Sequence, residues 1–150
     1  MTLTSSMAAL LRVALQDLRS GKALLVERLP SIAAAVGDAR LSALLAAETD
    51  RAVVARGRLD HAGGEGGPTN LWMAGILDDA DRDATSHQPG MIRDVALIGA
   101  VRKAKAAEIV SFDTAIALAD AQITDMLKAL REEATTTDHQ LRGLLEELTN

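Results

Sequence analysis

With 150 residues, no cysteine and a formal charge of -5, the chain can bury a core of its own but carries no thiolate for catalysis, iron–sulfur ligation or zinc. The acidic balance argues against nucleic-acid binding. The apolar stretch from Met7 to Leu11 is cut by Arg12, Gln16 and Asp17, and no segment approaches the roughly 20 apolar residues that cross a bilayer, so residues 1–150 read as one soluble cytoplasmic domain with no membrane role.

Aromatic residues are confined to Trp72 and Phe112, Ala and Leu dominate, and helix is expected almost throughout. In the first segment Leu11, Leu15, Leu18, Lys22, Leu25 and Leu29 step by four and three, the spacing of one helical face. Pro30 is expected to bend or stop this helix, with Ile32 to Val36 as a kinked continuation. Gly37 is expected as a left-handed stop and Asp38 as the next cap.

The second segment repeats the rhythm with Leu41, Leu45, Glu48, Ala52, Ala55 and Leu59, forming an antiparallel hairpin with the first. It ends in the glycine cluster Gly63 to Gly67 with Pro68. That cluster lacks the Lys-Ser/Thr ending of a phosphate loop and reads as a connector. Asn70 then caps a short helix carrying Leu71, Trp72, Ile76 and Leu77, followed by a polar stretch from Asp78 to Gln88. Trp72 is expected to anchor this helix on the bundle. A connection of this length lets the second and third long helices run parallel through a crossover.

The third long helix presents Met91, Asp94, Ile98, Val101, Lys105, Glu108 and Phe112 on one seam. The fourth presents Ile123, Met126, Leu130, Glu133, Thr137, Leu141, Leu144 and Leu148, with the break between them at Ala119 and Asp120. The fold class is therefore all-α, a four-helix bundle with a crossover helix.

Lys22, Glu48, Lys105, Glu108 and Glu133 stand where core leucines belong. Charged side chains are almost never fully buried unless paired or metal-bound, so five near one level of a bundle mark a site or its remnant. Two readings stay open: an internal network in which the lysines neutralise the glutamates, or long side chains that snorkel to the surface. Lys105, flanked by Arg102 and Lys103, is the one expected to escape more readily.

The stretch from Asp17 through Leu29 and Pro30, Glu48-Thr49 followed by Arg58-Leu59-Asp60, the string Arg93-Asp94-Val95-Ala96-Leu97-Ile98, and Glu108-Ile109 with Thr114 resemble the YciF-like bacterial stress proteins of the ferritin-like superfamily. The resemblance spans nearly the whole chain. It implies a ferritin-like four-helix bundle, a homodimer, and a mid-bundle carboxylate and histidine site whose acidic positions correspond to Glu48, Glu108 and Glu133. Against that pattern, this chain has Lys22 where relatives have a glutamate, Ala52 where they have a histidine, and Lys105 with Ala106 in place of a polar pair.

Di-iron chemistry on such a scaffold needs about four carboxylates and two imidazoles, with Glu-x-x-His on two helices. Arg51 and Thr136 stand three residues after Glu48 and Glu133, and His61, His87 and His139 lie off the seams. The expectation is a non-enzymatic bundle in which a Lys/Glu charge network replaces the ancestral di-metal site: no catalytic residue, no cofactor, and Glu48, Glu108 and Glu133 as residual metal candidates only. The alternative is a metal-binding oxidoreductase with an atypical carboxylate site. A small-molecule or protein partner is left unnamed.

Overall fold

The computed structural model describes residues 3–150, and among these the chain forms five helices and no strand. They are α1 (Met7–Ala34), α2 (Ala39–His61), α3 (Leu71–Ser86), α4 (Met91–Leu118) and α5 (Ala121–Thr149). Four start at side chains that satisfy otherwise unpaired amides: Ser6 accepts from Ala9, Asp38 from Arg40 and Leu41, Asn70 from Met73, and Asp120 from Gln122. Among the described residues no helix is long and apolar enough to cross a membrane.

Pro30 does not stop α1. It sits on the exposed side, while Leu29 and Ile32 are buried, and their packing holds the helix through the missing amide to Ala34. Gly37 is not left-handed either: α1 ends at Ala35 in the ordinary helical region. The turn is instead secured from α4, where the buried Asp94 carboxylate accepts the Gly37 and Asp38 amides, both at 2.9 Å. Asp94→Ala is expected to cost about 1–2 kcal/mol in urea melts, because water can reach these amides in part. A loss below the error of the melt would show that the turn holds without Asp94.

Asp94 also sets direction. It brings the start of α4 to the end of α1, and Arg40 at the start of α2 meets Glu147 near the end of α5 at 2.5 Å. Thus α1 and α2 are antiparallel, α4 and α5 are antiparallel, and α2 and α4 run parallel on opposite corners. Around the bundle α1 borders α2 and α4, and α5 borders the same two.

The parallel pair requires the long crossover, and α3 occupies it. This helix runs to Ser86, so the polar stretch after Leu77 is largely helical rather than loop. It packs on α1 and α4 through Met73, Leu77 and Ala80. Its Asn70 amide side chain donates to the Asp17 carbonyl (3.0 Å), and the Trp72 indole donates to the Asp17 carboxylate (3.0 Å). Gly21 lets this end approach closely, since a Cβ there would lie 3.0 Å from the Asn70 amide nitrogen.

Candidate functional site

The buried faces divide into two apolar blocks. One holds Leu25, Leu29, Leu41, Leu45, Leu97, Ile98 and Leu141, the other Leu15, Leu18, Leu59, Phe112, Leu127 and Leu130. Between them, each helix of the four crosses a polar level: Lys22 on α1, Glu48 on α2, Lys105 and Glu108 on α4, and Thr137 on α5. The three-and-four spacing that aims leucines inward aims these groups inward too, so the helices cannot bury their apolar faces without burying this layer.

Lys105 lies at its centre. Its ammonium donates to Glu48 Oε1 and to Glu108 Oε1, the latter at 2.6 Å. The Lys22 ammonium reaches Glu108 Oε2 at 2.6 Å and lies 5.9 Å from the centre of the Phe112 ring, within cation–π range. Glu48 Oε2 accepts from the Thr137 hydroxyl (3.1 Å) and from the Arg51 guanidinium (3.2 Å). Side-chain exposure is 0% for Lys105, 2% for Glu108, 4% for Glu48 and 6% for Lys22, against 34% for Arg51, which links the layer to solvent. No buried polar side-chain atom among the described residues lacks a hydrogen-bond partner.

The electrostatics follow from this pairing. Burial pushes the Glu108 carboxyl up, but the Lys105 and Lys22 ammoniums more than offset it and hold the group down to about 2. Burial likewise opposes ionisation of Glu48, and Lys105 and Lys22 bring it below the usual carboxylate value. For Lys105 the loss of water lowers proton affinity, while Glu108 and Glu48 raise it further, so it stays an ammonium.

Of the five charges singled out in the sequence, four meet here and Glu133 does not. Ala134 and Thr137 take the inward positions of α5, and Glu133 is half-buried beside Glu132, Arg51 and Gln140 along the α2/α5 seam. Lys105, expected to reach solvent more readily than Lys22, is the more deeply buried of the two. The side chains absent from the sequence-based network are Arg51 and Thr137. Their signals were available: Arg51 is three residues from Glu48, and Thr137 is a polar break on the α5 seam.

A ferritin-type metal pair does not fit these residues. The two carboxylates are bridged by an ammonium, where bridging cations would need to lie, and a second ammonium takes the remaining Glu108 oxygen. Among the described residues no three His, Asp or Glu side chains converge as a ligand set. His61 and His139 are exposed, and His87 is turned to Asp83 at 3.2 Å.

The fold is that of two solved structures. The E. coli stress protein YciF superposes with a TM-score of 0.92 at 24% identity, over 98% of this chain and 99% of that one. YcfI from Rhodopseudomonas palustris gives 0.87 at 20% identity, over 92% and 94%. No curated protein matches. A family model described as a domain of unknown function, DUF892, matches residues 6–150. With that match over almost its full length, the chain belongs to the DUF892 family, and it has the fold of YciF.

Proposed function

We propose that this protein is a non-catalytic member of the ferritin-like bundles, stress-associated as the name of its E. coli relative suggests, in which lysine ammoniums replace the metal ions of a mid-bundle site. The observation that carries this reading is Lys105, whose one nitrogen serves carboxylates of both α2 and α4. Each carboxylate is matched by a buried ammonium, with Arg51 as a further cation at the edge, so the layer supplies neither the unpaired base nor the open coordination position that metal-assisted chemistry requires. Its role in this reading is to hold the four helices in one register, as buried polar pairs do in some helical assemblies. The alanine-rich outer faces of the helices support assembly as a homodimer.

The test is the metal content and oxidase activity of protein purified without chelator and then exposed to Fe²⁺. The expected result is less than stoichiometric iron and no oxygen-dependent Fe²⁺ oxidation above buffer, from a species with dimer mass in light scattering. About two iron atoms per chain, with oxidation abolished by Glu48→Ala, would establish the oxidoreductase reading instead.

A further inference from the structure

Away from the charge layer, α2 and α5 flank an open groove of about 640 Å³. Its walls are Val54, Ile123 and Met126, and its polar groups are Arg58, His61 and Gln122. No carboxylate lines it, in a chain whose net charge is -5. We infer that this groove binds an amphipathic monocarboxylate, with the apolar body along Val54, Ile123 and Met126 and the anionic head at Arg58 and His61.

Three observations carry this. Basic residues often end helices because they satisfy terminal carbonyls, but here those carbonyls are already occupied. The Ala62, Gly63 and Gly64 amides donate to Arg58, Asp60 and Leu59 respectively, and Arg58 enters no ion pair among the described residues. Residues three apart on a helix share a face, so Arg58 and His61 are set side by side. Second, Gly57 lies within α2 on the groove wall, where glycine weakens a helix, yet a Cβ there would meet nothing within 4 Å. Packing does not require that glycine, and the groove is open above it. Third, the next stretch of the same seam carries Glu132 and Glu133, with Arg51 there paired to Glu48, so carboxylates stand at that end and Arg58 and His61 at the other.

Decanoate titrated into the full chain by calorimetry tests the assignment, with decanol and decyltrimethylammonium as uncharged and cationic counterparts. Saturable one-to-one binding of decanoate is expected, weakened about tenfold or more by Arg58→Glu, the loss of one charge-assisted contact. Gly57→Leu is expected to abolish binding while leaving the melting temperature equal or higher, which separates a blocked site from a damaged fold. Val13→Asp, on α1, should leave binding unchanged. The inference is overturned if decanoate does not bind, if the three amphiphiles bind equally, or if binding survives both Arg58→Glu and Gly57→Leu. It is likewise overturned if Gly57→Leu only converts a dimer to monomer, which would make the seam an interface between copies.

Discussion

Lys105→Met should lower stability at neutral pH by about 3–5 kcal/mol, the cost of breaking rather than replacing a buried ion pair. Methionine fills much of the space but leaves Glu48 and Glu108 without the ammonium they share. Glu108 keeps Lys22, and Glu48 keeps Arg51 and Thr137, so the chain should still fold. Lys22→Met should cost less, since Lys22 serves one carboxylate that retains a second partner. The sign of the pH dependence distinguishes this mechanism from simple loss of packing. Without Lys105, Glu48 keeps only the partly exposed Arg51 and the neutral Thr137, so burial should raise its folded-state pKa above its unfolded value. Protonation then stabilises the fold, and stability falls as pH rises through that raised value. Urea melts of the variant should therefore show recovery on moving from neutral to mildly acidic pH. Loss of less than about 1 kcal/mol, with no such recovery, would show that Lys105 contributes nothing as a counter-charge.

The unaltered protein should behave in the opposite sense. Glu108 is held at about 2 against an ordinary 4.5. A depressed folded value means that its contribution is fully present above about 4.5 and is lost as pH falls toward about 2. At 1.36 kcal/mol per pKa unit this amounts to about 3 kcal/mol, and the lowered Glu48 adds in the same direction. At the other extreme Lys105, raised above 10.5, keeps its contribution through neutral pH and loses it only in strong alkali. The check is a variant in which Lys22, Glu48, Lys105 and Glu108 all become Met. Replacing a whole buried ionic cluster by apolar residues is often neutral or stabilising by about 1–4 kcal/mol, so this variant should fold at neutral pH. Its acid dependence should be shallower by about 3 kcal/mol between the two pH limits. Equal acid sensitivity in both proteins would place the titrating groups outside the layer.

Local sequence was sufficient for most of the architecture. The inward positions of α2, from Leu41 through Glu48 to Leu59, are the buried residues of that helix without exception, because a straight helix must present a three-and-four stripe to its neighbours. Asp38 and Asn70 act as caps where expected, and Asp120 caps α5 at the expected break, since capping depends on one side chain and the amides just after it. The same stripe places Lys22, Glu48, Lys105 and Glu108 inward.

What the stripe could not decide depended on how the helices lean on one another. On α5 the inward line passes through Ala134 and Thr137, leaving Glu133 in the seam with α2; adjacent helical positions differ by about 100°, so the partner helix chooses between them. α1 continues past Pro30, with Leu29 and Ile32 buried on either side of it, and α3 continues past Leu77, where Ala80 is buried and Arg28 on α1 pairs with Asp78 and Asp81. The partners of each buried charge were likewise beyond local reading. Lys105 lies 57 residues from Glu48, and Thr137 lies 89 from the same carboxylate. Periodicity determined which side chains had to enter the bundle, whereas only the packing of α1, α2, α4 and α5 decided which opposite charges met, because a buried ion pair needs atomic contact and a helical stripe specifies only a face.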